Sequence, residues 1–585
     1  MAEEKPIESI LVADCGAVAT KLLLLERVED RYRFVAQAET ATTSNAPWKD
    51  ISTGVVHALE EIETITGRTL FAQGRLITPR DGLVGVDAFV SILSAAEPLH
   101  LVLAGLVREM SLESAHRVAY GTYTTIEDML SREGSLRSPE EAWARAIRDI
   151  APDVVLLVGG VDGGASRPIM ELADAIALGT SMLESDRRPR LLYAGNAQLR
   201  SRITKLMGDM TDVDVVDNVR PSVDVEYLKP AQDLLEQAFV ERRLHPMRGA
   251  DTLAAWSGFP LQPTATAFGR VVEYLWHREE HTDRGVLGID LGAASTTVMA
   301  CFDGLLYPTI RGGEGFVRNS LNEEDDQQIK RLNRWIPTDI EPDHIRAFLK
   351  NRALHPHTVP QTLTDLWIEQ AVAREMLREA LNVAKSTWNM GKAASRDPYL
   401  MPYFDPILIS GGSLVHMPRP GHALLTVLDG IQPVGISTIL LDERRAASAL
   451  GAIATIKPLA AASALEAGTL VSLGTVISPI ARGRAGDTIL AMEINYDDGS
   501  ELSVEAHYGE LEVWPLLPGQ HATLELKPAR NVDVGLGGPG KGGKIQALGG
   551  RVGLVVDGRG RPLQLPPEAD QRHKVLRRWI WDVGG

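Results

Sequence analysis

Two stretches of this chain, far apart in sequence, share the pattern that decides the fold. Residues 9–24 read SILVADCGAVATKLLL, and residues 285–300 read GVLGIDLGAASTTVMA. Each stretch is an apolar run, then Asp-X-Gly, then a second apolar run, which is typical of a β-hairpin. Matched positions, such as Asp14 and Asp290, lie 276 residues apart throughout. A single repeat of this length predicts two copies of one α/β domain.

The chain between the two copies alternates strand and helix patterns. Apolar runs at 154–158 and 190–195 are separated by helical patterns, which predicts a mostly parallel sheet covered by helices. Residues 321–393 carry few strand signals and predict a helical insert. From residue 467 onward, short alternating runs separated by turn residues predict a β-rich C-terminal domain.

Composition and charge limit the possible function classes. The 585 residues include 60 Lys+Arg and 77 Asp+Glu, a net charge of −17, which disfavours a general nucleic-acid binder. Two cysteines cannot form a disulfide scaffold or a Cys-based zinc site, and they fit a reducing cytoplasm. The acidic start lacks a signal-peptide pattern, and the most apolar stretch, 458–481, is interrupted by Glu, Gly and Pro. We expect a cytoplasmic protein without a membrane span.

The two Asp-X-Gly turns are the leading candidate site. A turn of small residues lets backbone N–H groups approach an anion, and the preceding Asp can hold the water shell of Mg²⁺. Two such turns facing each other predict a Mg²⁺-nucleotide site in which Asp14 and Asp290 are the metal-binding and catalytic carboxylates. The expected phosphate-binding residues are Gly16, Ala17, Thr20 and Lys21 in the first turn, and Gly292, Ala293, Ala294, Ser295 and Thr296 in the second.

The pair of turns resembles the phosphate-1 and phosphate-2 loops of the actin, sugar kinase and heat-shock ATPase superfamily. Three more elements agree in type and order, and the match covers residues 10 to about 456. The three elements are LQPTATAFG at 261–269, GGS at 411–413 and ALGA at 449–452. The resemblance implies two actin-like (ribonuclease H-like) lobes, with the adenosine bound at Gly411, Gly412 and Ser413.

These patterns give expected domain boundaries. We expect a first lobe at 1–283 that carries an inserted α/β segment at about 138–220. The second lobe is expected at 284–466 with its helical insert at about 321–393, and the C-terminal all-β domain at 467–585.

Within the superfamily, the chain is most similar to the MutL (GlmL) family of glutamate mutase accessory proteins. The similarity rests on VADCG with Thr20 and Lys21, on LVGGVDGG at 157–164 and on YAGN at 193–196. It implies a factor that uses ATP and Mg²⁺ to reactivate an adenosylcobalamin-dependent carbon-skeleton mutase. The mutase subunits would be its partners, and cobalamin would be met only through them.

Four positions depart from the family pattern. Ala17 and Val18 stand where the first loop usually offers a hydroxyl, Ala293 replaces a glycine, and Thr297 replaces an Asp. We therefore expect slow hydrolysis at most. Two alternatives stay open, a degenerate scaffold with weak or no ATPase activity and a small-molecule kinase of the same fold, and self-association is open as well.

The end of the chain is locally basic. From Lys527 on, eleven Lys+Arg stand against five Asp+Glu, and Trp579 and Trp581 lie close to four of the cations. Arg with exposed Trp is a common interface pair. The alternative is that both tryptophans pack onto the β domain and the charges are only solvated.

Overall fold

The computed structural model describes residues 6–132, 140–279, 283–319, 325–388, 397 and 399–584. Within them the chain forms two compact units. The first unit contains residues up to Ala95, Thr252–Tyr307 and everything from Glu314, and the second contains Ala96–Asp251 and Pro308–Gly313. The strand Leu305–Gly312 and the helix Ala250–Ser257 each continue from one unit into the other.

The N-terminal lobe of the first unit is built on a five-stranded sheet. The strand order is Gln262–Pro263, Ala88–Leu93, Ser9–Cys15, Ala19–Val28, Arg31–Ala41. Ser9–Cys15 and Ala19–Val28 form the expected hairpin, called the first hairpin below, and Ala88–Leu93 pairs parallel to Ser9–Cys15. The apolar runs are buried on both faces of this sheet, as expected for a strand covered by helices. The helix Ile51–Thr66 covers one face, and a small ribbon pairs Phe71–Ala72 with Arg75–Leu76.

The second lobe repeats this arrangement. Gly285–Leu291 and Ser295–Phe302 form the second hairpin, and Phe404–Ser410 pairs parallel to Gly285–Leu291. From Ser295–Phe302 the sheet continues through Gly285–Leu291, Phe404–Ser410, Gly435–Leu441, Val471–Ser478, Leu554–Asp557 and Leu511–Trp514. Three of these strands follow residue 466, so the sheet runs across the expected boundary between the second lobe and the C-terminal domain.

The helical insert of the second lobe contains the helices Asp326–Asn333, Pro342–Leu354 and Leu363–Thr387, and residues 320–324 and 389–396 lie outside the described part. Leu363–Thr387 begins at Thr362, whose hydroxyl accepts a hydrogen bond from the backbone N–H of Asp365 at 3.1 Å. The other helices of this unit are Thr264–Arg278, Phe316–Asn319, Gly412–Val415, Pro420–Ile431, Ala447–Ile453, Pro458–Ala464 and Ala569–Asp582.

The helices Thr264–Arg278 and Ala447–Ile453 cross at very close range. A Cβ added at Gly451 would lie 1.7 Å from the backbone oxygen of Ala267. Only glycine permits this approach. The first helix begins within the LQPTATAFG stretch at 261–269, and the second contains ALGA at 449–452.

The C-terminal region is β-rich but ends in a helix that the sequence interpretation missed. An antiparallel sheet has the order Glu501–His507, Thr488–Tyr496, His521–Pro528, Gly543–Leu548. The helix Ala569–Asp582 then packs against Pro420–Ile431 of the second lobe. Trp579 is buried and contacts Arg559, whereas Trp581 is 78% exposed. The two tryptophans therefore divide between packing and exposure.

The second unit is a doubly wound α/β module. Among its described residues, parallel strands follow the order Val213–Val215, Arg190–Tyr193, Val154–Leu157, Leu99–Gly105, Thr124–Ser131, and the strand Leu305–Gly312 pairs parallel to Thr124–Ser131 through Arg311. Its helices are Glu113–Tyr120, Glu140–Ile150, Arg167–Ser181, Arg200–Met207 and Lys229–Phe239. The α/β segment expected at about 138–220 lies inside this unit, which begins earlier and ends later.

The two sequence blocks at 157–164 and 193–196 come together in the second unit. The side-chain oxygen of Asn196 accepts a hydrogen bond from the backbone N–H of Gly163 at 3.2 Å. Asn196 is fully buried, and this hydrogen bond holds the glycine-rich loop at 159–164 against it. Across the described residues of both units, every helix is too short or too polar to cross a membrane.

Candidate functional site

The first hairpin places an ion pair at its turn. Asp14 and Lys21 are cross-strand partners, and Nζ of Lys21 lies 2.7 Å from Oδ2 of Asp14. Both side chains are buried. The hydroxyl of Thr264, at the start of the helix Thr264–Arg278, points to Oδ1 of Asp14 at 3.5 Å. The two oxygens of Asp14 are thus contacted from two other elements of the first unit, by Lys21 on the strand Ala19–Val28 and by Thr264 on the helix Thr264–Arg278.

The turns of the two hairpins have the same geometry. The backbone N–H of Gly16 donates to the oxygen of Ala19 at 2.9 Å. A Cβ on Gly16 would lie 2.8 Å from that oxygen, and a Cβ on Gly292 would lie 2.8 Å from the oxygen of Ser295. Both glycines are therefore required by the turn itself. In each turn the small residues after the glycine, Ala17 and Val18 or Ala293 and Ala294, are partly exposed.

The second hairpin carries Asp290 opposite Thr297. Thr297 is buried at the position that matches Lys21, so no ammonium stands beside Asp290 on its own hairpin. Burial raises the pKa of Asp290 to about 6; Lys21 lowers that pKa, and Asp14 and Asp442 raise it. The carboxylates of the two hairpins therefore act on each other.

Asp442 is a third carboxylate at this place, and the sequence interpretation missed it. Asp442 follows the strand Gly435–Leu441 and is 1% exposed. Its oxygens accept hydrogen bonds from the backbone N–H groups of Ala446 and Ala447 at 2.8 and 2.9 Å, and from the hydroxyl of Ser410 at 3.0 Å. Burial raises its pKa, while these hydrogen bonds and Lys21 oppose the shift. The sequence signal was an Asp directly after an apolar strand, as at Asp14.

Arg445, which belongs to the second lobe, contacts two residues of the N-terminal lobe. Its backbone oxygen accepts a hydrogen bond from Nζ of Lys21 at 3.4 Å, and its guanidinium pairs with Glu39 of the N-terminal lobe. Arg445 has φ 52°, a left-handed conformation that is uncommon for a residue with a side chain. The cluster of Asp14, Lys21, Asp290, Asp442 and Arg445 is called the carboxylate cluster below.

The hydroxyl groups beside the turns face the protein interior. The hydroxyl of Thr296 donates to the backbone oxygen of Glu314 at 2.9 Å, and the hydroxyl of Thr20 lies against Gly54 of the helix Ile51–Thr66. Ser295 is buried as well. The exposed surface of both turns is thus backbone and methyl groups, so backbone N–H groups are the donors that an anion would meet there.

Gly411, Gly412 and Ser413 follow the strand Phe404–Ser410, whose last residue pairs with Asp290. Gly411 has φ 112°, and a Cβ there would lie 2.4 Å from the oxygen of Leu291. Ser413 is buried, and its hydroxyl has no hydrogen-bond partner among the described residues. The structure thus places the expected adenosine-loop residues next to the second hairpin and leaves one buried hydroxyl there to be satisfied.

The donor chemistry of the cluster fits a hard divalent cation. Carboxylate oxygens are the ligands that Mg²⁺ prefers. Asp14, Asp290 and Asp442 give three negative charges against the two positive charges of Lys21 and Arg445, and Arg445 is already paired with Glu39. A cation that neutralises this excess is therefore favoured, and a free triphosphate without one is disfavoured. Asp14 and Asp290 are the residues that would hold the ion.

A model of the MutL protein family matches residues 10–468 of the chain. The chain belongs to the MutL family. A curated MutL relative, Protein MutL of Clostridium tetanomorphum, is 24% identical over 443 residues, which cover 72% of this chain and 88% of the relative. The MutL match includes both hairpins, the helical insert and the whole carboxylate cluster, and it ends where the β-rich C-terminal region begins. The family resemblance inferred from the sequence is confirmed.

Solved structures with a similar chain course include a nucleotide-free acetone carboxylase, 11% identical, with a TM-score of 0.34 over 86% of this chain and 82% of that one. Component A of the (R)-2-hydroxyglutaryl-CoA dehydratase of Acidaminococcus fermentans is 9% identical, with a TM-score of 0.25 over 76% and 96%. A nucleotide-free diol dehydratase-reactivating factor is 10% identical, with a TM-score of 0.31 over 77% and 100%. TM-scores this low support no conclusion about the activity of the MutL chain. The α/β fold with two related hairpin lobes agrees with the prediction from the sequence.

Proposed function

We propose that this chain binds Mg·ATP at its two hairpin turns and serves as a nucleotide-dependent accessory factor that reactivates an adenosylcobalamin-dependent carbon-skeleton mutase of the glutamate mutase type. The nucleotide site rests on one observation. Asp14 and Asp290 occupy matched positions of two hairpins, 276 residues apart, and their carboxylates interact electrostatically within one carboxylate cluster. The accessory role is supported by membership of the MutL family.

Each part of the proposed site would have its own role in binding the nucleotide. The backbone N–H groups of the Gly16 and Gly292 turns would bind phosphate oxygens, because the small residues there leave the backbone accessible. Gly411, Gly412 and Ser413 would lie along the adenosine. Mg²⁺, when bound, supplies the charge that neutralises the phosphates. Asp14 and Asp290 would hold the ion, and Lys21 would give an ammonium to the phosphate side of the site.

The proposed action is opening and closing of the two lobes, with residues 1–283 and 284–466 as their sequence boundaries. Lys21 with Arg445, and Arg445 with Glu39, already join the two lobes at the cluster. A nucleotide that changed the charge at this place would change both contacts. The mutase partner, which carries the cobalamin, would respond to the resulting position of the lobes.

A second candidate function is a nucleotide sensor that hydrolyses ATP slowly or not at all. The observation in its favour is Thr297, a neutral buried residue opposite Asp290. The charge-organising Asp expected there from the family is replaced. Such a chain would switch on binding and release of nucleotide rather than on hydrolysis.

Calorimetry with ATP, in the presence and absence of Mg²⁺, tests the proposed site. We expect binding that requires Mg²⁺, since the carboxylate cluster has an excess of negative charge. A reactivation assay then tests the role, with inactivated glutamate mutase, the chain and ATP. Absence of ATP binding would contradict the nucleotide site, whereas ATP binding without any recovery of mutase activity would contradict only the partner.

A further inference from the structure

A cavity of about 360 Å³ opens in the helical insert, and it shares no lining residue with the carboxylate cluster. It lies between the helices Pro342–Leu354 and Leu363–Thr387 and the segment that joins them. Phe348, Val359 and Pro360 form an apolar part of its wall, and the carboxyl groups of Asp365 and Glu369 form an acidic part. The volume is within the range of small-molecule sites.

Glu369 is the unusual residue of this cavity. It is 4% exposed, and its Oε2 atom has no hydrogen-bond partner among the described residues. Its Oε1 atom faces Nη2 of Arg352 at 3.5 Å. Nη1 of Arg352 donates to the backbone oxygens of Pro356 and Thr358, and Nε of Arg352 is buried without a partner among the described residues, so Oε2 of Glu369 stays unsatisfied. A buried carboxylate oxygen without a partner is costly, and it calls for a donor.

The charge at the cavity selects the kind of donor. Burial raises the pKa of Glu369 to about 7; Arg352 lowers that pKa and the nearby Asp365 raises it, and the two carboxyl groups share one guanidinium. Nε2 of His344 lies 3.8 Å from Oδ1 of Asp365 at the rim of the cavity. Within the described residues, His344, Asp365 and Glu369 do not bring three ligand atoms close together. An organic cation with N–H donors therefore fits better than a metal ion.

We propose that this cavity binds a small organic ammonium ion. Its N–H groups donate to Oε2 of Glu369, and its short hydrocarbon part packs on Phe348, Val359 and Pro360. Arg352 stays on the other carboxylate oxygen. The occupant supplies the missing donor and the missing positive charge at once, which an alcohol or an amide cannot do.

Two contacts connect this site to the second hairpin. The guanidinium of Arg352 lies 5.4 Å from the ring centroid of Phe316, and the backbone N–H of Phe316 donates to the oxygen of Gly292 at 2.9 Å. Occupation of the cavity is therefore expected to change nucleotide affinity, and this coupling rests on the proposed function. By linkage, Mg·ATP would change ammonium affinity by the same factor.

Calorimetry of the full chain with n-butylammonium chloride tests the site, with n-butanol as the neutral probe of similar shape. We expect saturable binding of butylammonium that is at least about tenfold tighter than binding of butanol. Glu369→Gln keeps the shape and removes the charge, so it should weaken butylammonium binding at least about tenfold. The matched control is Glu379→Gln, on the same helix outside the cavity, which should bind as the parent does.

Equal binding of the two probes, unchanged binding by Glu369→Gln, or no saturable binding by the parent chain overturns the proposal. Ala347→Trp is the second variant, because Ala347 lines the cavity from an exposed helix position and a large side chain there fills it without touching the buried acid. Loss of binding in Ala347→Trp supports the site even where Glu369→Gln does not fold. Butylammonium that binds without altering ATP affinity refutes the coupling alone, and a chain that binds butylammonium but no ATP refutes only the nucleotide site.

Discussion

Lys21 and Asp14 form a buried ion pair across the first hairpin, 2.7 Å from Nζ to Oδ2. The second hairpin repeats the backbone of the first but not this pair, because Thr297 stands opposite Asp290. One carboxylate is thus neutralised by its own hairpin and the other is not. Burial raises the pKa of Asp290 to about 6, and no ammonium on its own hairpin opposes that shift. Asp290 is therefore the carboxylate of the two hairpins that gains more from a cation.

Asp290→Asn should weaken Mg²⁺-dependent ATP binding by roughly 10- to 100-fold, because it removes the unpaired carboxylate of the cluster. Calorimetry at pH 7.5 measures the effect. The matched control is Asp303→Asn, an exposed position at the far end of the same hairpin, which should leave ATP affinity unchanged. An Asp290→Asn protein that is folded and binds Mg·ATP as the parent does would exclude Asp290 from the site.

Affinity for Mg·ATP should fall about tenfold between pH 7 and pH 5, since protonation of Asp290, with a pKa of about 6, removes the charge that holds the ion. Stability changes in the opposite sense. The folded state raises the pKa from 3.8, so it binds the proton more tightly than the unfolded chain, and this stabilising contribution is lost as the pH rises from about 4 to about 6. Calorimetry over this range checks the first effect, and Asp290→Asn should have a flatter profile.

Thr297→Asp should raise the rate of ATP hydrolysis, because it restores a carboxylate directly opposite Asp290. Removal of one charge-organising group commonly costs about 10²- to 10³-fold in rate, so part of such a factor is expected to return. Phosphate release under saturating Mg·ATP is the measurement, and Thr297→Ser serves as the control. If Thr297→Asp binds ATP and hydrolyses it at the parent rate, Thr297 does not limit hydrolysis.

Lys21→Met should destabilise the chain by roughly 3 to 5 kcal/mol, because it leaves Asp14 buried without its partner. Asp14→Asn added to Lys21→Met should recover much of that loss, since no buried charge then remains unpaired. Urea unfolding of the two single variants and the double variant measures the coupling free energy. Additive single effects would show that the pair contributes nothing beyond its separate residues.

Arg559→Met should destabilise the second lobe by roughly 3 to 5 kcal/mol. Arg559 is buried and lies 2.7 Å from Asp429 and 2.8 Å from Asp557, so its loss leaves two buried carboxylates short of a cation. Arg578→Met is the matched control, because Arg578 pairs with Glu510 at the surface, where such a pair contributes at most about 1 kcal/mol. Equal shifts of the unfolding midpoint in the two variants would contradict the importance of the buried network.

The hairpins were predictable because their signal is local. An Asp-X-Gly turn between two apolar runs specifies its own hydrogen bonds, and the repeat places Gly292 where Gly16 predicts it. Asp442 was not singled out, although it follows a strand in the same way, because its role depends on neighbours that are distant in sequence, such as Lys21. Arg445 was missed for the same reason.

The end of the chain was the least predictable part. Its residues form short strands, as expected, but Val471–Ser478 and Leu554–Asp557 pair with the second-lobe sheet instead of closing a separate domain. The amphipathic pattern of the helix Ala569–Asp582 was obscured by its many charges. Tertiary contacts decide which element a strand or helix packs against. Alternating polarity therefore predicts the strand but not its neighbour.

The close contact between Gly421 and Val583 has a consequence for how the protein is made. A Cβ on Gly421 would lie 1.9 Å from the backbone oxygen of Val583, so the helix Pro420–Ile431 and the end of the helix Ala569–Asp582 fit directly together. Translation reaches residue 583 long after the second hairpin has left the ribosome. The second lobe therefore completes its core only after synthesis has passed this point, and until then the nascent chain exposes apolar surface that molecular chaperones recognise.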